Sequence, residues 1–282
     1  MNTRRDFLKC AGMAYAGLFA LRSSADTVIG TKKIPVGIQL YSFREQGKAD
    51  FASIIKKAAE LGFAGVEFAG YGPYGGKPEE LRKMLDDVGL KAFGTHTGLN
   101  LVEDDKIQQT IEFHKTIGCP YIIIPGMSHD KLDTRDNCLR TAEFLTKACA
   151  TAHSAGLHLG YHAHGGDFKK VDGELSAWEV LYDNTPPSFI HQIDLGNCLG
   201  GGGDPYKMIE RYPGRSLSVH LKEHGGPKGA VFGQGEVDFK RALALCEKFG
   251  GTRCYIIEHE SDPANAFTTA KQCLDYLKTL QF

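Results

Sequence analysis

The chain has 282 residues, 42% hydrophobic and 24% charged, a balance that suits one globular domain of about 250 residues and excludes a disordered or fibrous protein. With 33 basic and 34 acidic residues the formal net charge is −1, and no Lys/Arg run follows the first segment, so the electrostatic footprint of a nucleic-acid binder is missing. The eight cysteines are scattered, with no C-x-x-C pair and no zinc-ribbon spacing, which argues against a disulfide framework and for single buried thiols.

In chain order, the first feature is MNTRRDFLKCAGMAYAGLFALRSSADT. Adjacent Arg4 and Arg5 precede Asp6, Phe7 and Leu8, and this resembles a twin-arginine export signal. The apolar stretch Cys10 to Leu21 is too short for a spanning helix, and Ser23, Ser24 and Ala25 suit cleavage after Ala25. The expected organisation is a signal peptide at 1–25, a linker at 26–32 and a single domain at 33–282. A periplasmic or otherwise exported protein follows, with no span in its mature form.

From Lys33 onward, short apolar runs alternate with amphipathic stretches. Predicted strands are 36–41, 64–68, 90–96, 121–125, 157–164, 189–195, 217–222 and 254–260, their cores continuous and β-rich, as for strands buried on both faces. Between them, Phe51, Ile54, Ile55 and Ala58 share a helical face. Leu81, Met84, Leu85 and Val88 do the same behind Pro78, as do Phe239, Ala242, Leu243 and Cys246. Gly62, Gly89, Gly118, Gly156 and Gly250 stand where helices should end. Eight strand–helix units predict an α/β fold, a single-domain (β/α)8 TIM barrel, and no G-x-G-x-x-G follows the first strand to support a dinucleotide-binding sheet. The glycines at 200–203 suggest a mobile loop, and His114 and His153 fall in helices as surface or packing residues.

The polar residues collect at the C-terminal strand ends, where a barrel of this kind does its chemistry. They are Gln39, Glu67, His96, His162, His164, Asp194, His220, Lys222, Glu258 and Glu260. Two-residue spacing puts His162 with His164, His220 with Lys222, and Glu258 with Glu260 on one face of each strand. If those faces point inward, His162, Asp194, His220 and Glu258 converge from four consecutive strands. Two imidazoles and two carboxylates suit one divalent ion such as Mn²⁺, Zn²⁺, Co²⁺ or Fe²⁺, and a buried carboxylate pair calls for a cation.

GIQLYSFRE, GFAGVEFAGY, GLKAFGTHTGL, GLHLGYHAHGGDF, HQIDLGN, PGRSLSVHLKEH, FGQGEVDF and YIIEHE, in this order, resemble the xylose-isomerase-like sugar phosphate isomerase/epimerase family over nearly the whole mature chain. The resemblance implies metal ligation by Asp194, His220 and Glu258, with a fourth ligand from strand five and with Lys222 and His96 facing the substrate. Many relatives place a glutamate on strand five that doubles as acid/base, whereas this chain has His162 within YHAH. Either His162 ligates and titrates itself, or Asp167 reaches back from the loop.

The expected chemistry is isomerisation or epimerisation of a sugar by proton abstraction next to its carbonyl, through an enediolate. Glu258 or a histidine of the strand-five pair, His162 or His164, takes the proton, Lys222 adds positive charge, and Gln39, Glu67, His96 and His164 contact the substrate. A lyase expelling a group β to the carbonyl of a 3-keto-glycoside is the alternative, and a non-catalytic sugar-binding barrel the second. The partner is a small carbohydrate and not a nucleic acid, and a homo-oligomer is compatible with this reading.

Overall fold

The computed structural model describes residues 27–260 and 263–282. The expected export signal, residues 1–25, lies outside them. Eight strands, numbered here β1 to β8, run Ile34–Gln39, Gly65–Phe68, Lys91–His96, Tyr121–Ile124, His158–His162, Ile190–Gln192, Ser218–Leu221 and Cys254–Ile257. All neighbours pair in parallel from β7 through β8 and β1 round to β6. The last seam is held by a parallel bridge between Asp194 and His220, whose N–H donates to the Ile193 carbonyl at 2.9 Å. This is the expected (β/α)8 barrel.

Alternation along each strand sorts the side chains. Val36, Ile38, Val66, Phe68, Leu159 and Leu221 are buried in the layer between strands and helices. The other face points into the barrel, where Phe93, Tyr121, Ile123, Ile190 and Ile256 pack into a separate apolar floor. Gly37 is small because Phe93 lies against it: a Cβ there would come 2.6 Å from the ring. Further along the same inward face the residues become polar, namely Gln39, Glu67, Gln192 and His220, and all four are fully buried. The interior thus runs from hydrocarbon to a polar mouth.

The helices form where periodicity and caps place them. Ile54, Ile55 and Ala58 are the buried face of Phe51–Leu61, and Leu81 and Leu85 that of Pro78–Val88, each large side chain contributing roughly 1.5–3 kcal/mol by burial. Asp50 accepts the Ser53 N–H at 3.1 Å at the start of the first, and left-handed Gly62 ends it. The final expected glycine cap is corrected by one residue. Helix Phe239–Leu245 runs on into a π turn at Cys246–Gly250, so Gly251, with φ 68°, makes the reversal.

Two further expectations are corrected. The stretch read as a linker belongs to the barrel from residue 27: Val28–Ile29 pairs antiparallel with Ile34 and Pro35, and Ile29 is buried. Of the 200–203 glycines, Gly201 and Gly203 are closely packed where a mobile loop was expected. Gly200 ends helix Leu195–Gly200, and a Cβ on Gly201 would come 2.2 Å from the Gly165 carbonyl oxygen. Only glycine lets the loops after β5 and β6 approach so closely.

The seven described cysteines are free and buried, as their scatter suggests. His153 is exposed, whereas His114 is buried beneath β3. Its Nε2 meets Thr95 Oγ1 at 2.5 Å and its Nδ1 meets the Thr110 carbonyl at 2.7 Å. Burial lowers its pKa to about 4 from 6.5. The unfolded chain therefore binds more protons between those values, and stability present above 6.5 is lost as pH falls toward 4. From pH 7 to pH 5 this one group costs about 2 kcal/mol. Urea unfolding at both pH values should show His114→Gln losing less stability than the wild type by that margin; equal losses would exclude His114 as the source.

Candidate metal centre

The four residues at the ends of β5 to β8 come together. One donor atom from each of His162, Asp194, His220 and Glu258 lies within 4.8 Å of the others, and all four residues are buried. A second grouping within the same limit, His96 with His162 and His220, shares two of them. Local structure sets up the acidic pair. Asp194 is the N-cap of helix Leu195–Gly200: Oδ1 accepts the Asn197 N–H at 2.7 Å, while buried Oδ2 has no hydrogen-bond partner. Glu258 lies just beyond β8, with Oε1 on Lys222 Nζ and Oε2 on His220 Nδ1, both at 3.1 Å.

A buried network beneath the four fixes how the imidazoles present themselves. Glu67 is its hub. Oε1 meets His220 Nε2 at 2.5 Å and accepts from Gln39 Nε2 at 2.9 Å, and Oε2 accepts from Gln192 Nε2 at 2.8 Å. Gln192 Oε1 in turn lies 3.1 Å from His162 Nδ1. The proton of His220 therefore belongs on Nε2 and that of His162 on Nδ1. With an ion bound, His220 would release the second proton, which its Nδ1 shares with Glu258 Oε2, and His220 Nδ1 and His162 Nε2 would be the donor atoms for the centre. Gly94 makes room for the hub, since a Cβ there would come 2.5 Å from Glu67 Oε2.

The electrostatics show two unlike carboxyls. Burial, against the pull of Lys222, pushes Asp194 up to about 7. Burial opposes charge on Glu258 as well, but His220 and Lys222 outweigh it and hold Glu258 well below the usual carboxylate range. Burial opposes charge on His220 too, but Glu67 and Glu258 raise it to about 10. His162, buried beside His220 and His96, lies well below its ordinary value. Without a cation, this pocket must recruit protons to tolerate its carboxylates. An orphaned buried Asp194 oxygen and a mixed imidazole–carboxylate donor set therefore fit a divalent metal ion.

Above the centre is a cavity of ≈ 540 Å³ lined by Tyr41, His96, His164, Asn197, Lys222 and Glu258, among others. His96, His164 and Lys222, expected to face the substrate, are among the residues that line it. Gln39 and Glu67 are corrected: both are fully buried below the cavity and line none of it, because they sit one layer deeper on the inward faces of β1 and β2. Asp167 is corrected as well. Its oxygens accept from the His164 N–H at 2.8 Å and the Tyr161 hydroxyl at 3.0 Å, which places it outside the group of four. Sequence reasoning missed Gln192, although the two-residue spacing to Asp194 put it on the same face. It also missed Tyr41, an exposed ring over the cavity with the Arg44 guanidinium 4.5 Å from its centre. Among the described residues, no helix is long and apolar enough to cross a membrane.

The fold is a (β/α)8 barrel, and the buried imidazole–carboxylate group at its C-terminal mouth could hold a metal ion. Residues 55–280 match the family described as xylose isomerase-like TIM barrel, and the chain belongs to that family. It is 25% identical over 270 residues to an inosose dehydratase of Geobacillus kaustophilus, a match covering 80% of this chain and 86% of that protein. A sugar phosphate isomerase/epimerase structure from Parabacteroides distasonis superposes with a TM-score of 0.75 at 25% identity, covering 87% of this chain and 98% of that one. The IOLI protein, solved with a bound zinc atom, shares the fold at TM-score 0.68 and 12% identity, over 88% of this chain and 99% of that one. The chain is accordingly a carbohydrate-acting enzyme of the isomerase, epimerase or lyase kind, which sets aside the non-catalytic barrel.

Proposed function

We propose that this enzyme is a divalent-metal-dependent lyase that removes the proton beside the carbonyl of a keto-sugar and expels the group β to it. The observation that carries the reading is that Lys222 and His164 line one cavity together with His162 and Glu258 of the four-residue centre. His162, Asp194, His220 and Glu258 would hold the ion, which supplies Lewis acidity next to the substrate carbonyl.

The chain's own groups divide the remaining work. Burial works against the charge of Lys222, but Glu258 and Asp194 outweigh it and keep Lys222 protonated. It is a fixed positive charge for an oxygen that becomes negative, and not a base. Burial lowers the pKa of His164, so its imidazole is neutral and can accept the proton from carbon. The C–H electron pair becomes the new C=C bond, the bond to the leaving oxygen breaks, and His164 hands its proton to that oxygen. Tyr41 offers an aromatic face to the sugar ring. Glu258, engaged by both His220 and Lys222, is a ligand and not the base.

Elimination is favoured by the dehydratase name of the curated relative, and by His162 standing where a two-carboxylate relay would need glutamate. Isomerisation or epimerisation, which shares the first step, is favoured by the similar structure named a sugar phosphate isomerase/epimerase. NMR of products formed from a 3-keto-glycoside in D2O separates the two. Release of the aglycone is expected; deuterium in an otherwise intact sugar would sink the lyase reading in favour of the other.

Export by the twin-arginine route is part of the same proposal, and it favours a substrate without phosphate. Arg4→Lys together with Arg5→Lys should abolish periplasmic accumulation in cell fractionation; unchanged accumulation would refute that route.

A further inference from the structure

A second chamber of ≈ 580 Å³ adjoins the mouth cavity, the two sharing Pro125 and His164 in their walls. It lies between the loop after β4 and the turn after β5. Each chamber by itself has the size of an ordinary small-ligand site, so a single sugar ring leaves one of them unused. The walls of the second are of two kinds. Met127, Leu132 and Val171 present hydrocarbon, while Asp133, Asp167 and Lys169 present charge.

Asp167 is the informative group. Only 8% of it is exposed, and its two oxygens take one N–H and one O–H from within the protein. Among the described residues it makes no ion pair with a cation. A carboxyl group has about four acceptor positions, so two remain for donors that enter the chamber. Neutral hydroxyl donors beside an apolar wall are what a sugar ring supplies: its C–H face meets hydrocarbon and its hydroxyl edge meets the carboxyl group.

We infer that the second chamber is a subsite for a second sugar ring, so that the substrate is a disaccharide-type glycoside whose glycosidic oxygen lies beside His164. The inference rests on the keto-glycoside reading above. It gives His164 its place at the junction, within reach of both the carbon that loses a proton and the oxygen that gains one.

Gly126 supplies the means of closing the chamber. Its backbone φ is not in the left-handed range, and a Cβ there would lie 3.7 Å from His164 Cε1, so a larger side chain grows toward the junction. The test measures kcat/KM of metal-reconstituted protein on a methyl 3-keto-glucoside and on the 3-keto derivatives of maltose and cellobiose. At least one disaccharide should exceed the methyl glycoside about tenfold, a difference of about 1.4 kcal/mol in the transition state. Gly126→Phe should bring that ratio close to unity, and Met127→Trp, a second plug at a half-buried position, should do the same if Gly126→Phe fails to fold. Equal turnover of methyl glycoside and disaccharides by the wild type, or an unchanged ratio in the plugged variants, overturns the subsite alone. No turnover of any of the three overturns the keto-glycoside reading and the subsite with it.

Discussion

Asp194→Asn is expected to abolish metal binding and to reduce turnover by about 10³-fold or more. The substitution changes one oxygen to an amide and removes a negative charge from a set of two carboxylates and two imidazoles. A loss of about 4 kcal/mol of transition-state stabilisation, ordinary for a displaced Lewis acid, corresponds to that factor. The variant isolates charge from architecture. Asn caps a helix as well as Asp does, so helix Leu195–Gly200 should keep its first turn and the barrel its last seam. Elemental analysis after reconstitution should find about one equivalent of divalent metal in the wild type and almost none in the variant, and the two proteins should melt at matching temperatures when both are metal-free. Equal metal content in the two proteins would end the assignment of the centre.

Glu67→Gln should produce the second large effect, from a residue that touches no substrate. Glu67 accepts from His220, Gln39 and Gln192 at once, and His96 Nε2 lies 3.0 Å from its Oε1. An amide keeps one acceptor and turns an N–H₂ toward groups that are themselves donors. The Nε2 proton of His220 then loses its fixed acceptor, and Nδ1 is no longer held toward Asp194 and Glu258. Loss of such a carboxylate partner weakens metal affinity 10- to 100-fold in comparable centres, and breaking a buried charge pair costs about 3–5 kcal/mol of stability. Chelator competition reads the first and urea unfolding the second. A fall in stability with unchanged affinity would make Glu67 a structural residue only.

Both variants bear on what could be read before any tertiary structure. The alternation of β-rich runs with helical faces, and the glycines at helix ends, determined the eightfold strand–helix order, because hydrophobic period and cap chemistry are local properties of the chain. Period-2 spacing likewise determined which side chains share a face, and so put His162, Asp194, His220 and Glu258 forward as a group. Depth within the barrel is another matter. Strand stagger across β1 and β2 sets Gln39 and Glu67 a layer below the mouth, and no local pattern encodes the height at which neighbouring strands register. Nor does spacing reveal what a loop carboxyl finds on folding: Asp167 is taken by the Tyr161 hydroxyl and the His164 N–H, and so faces the second chamber instead of the centre. The sequence by itself thus determined the order of the elements and the inward faces. Closure of the barrel decided depth, partner and tautomer, because these depend on contacts between strands far apart in the chain.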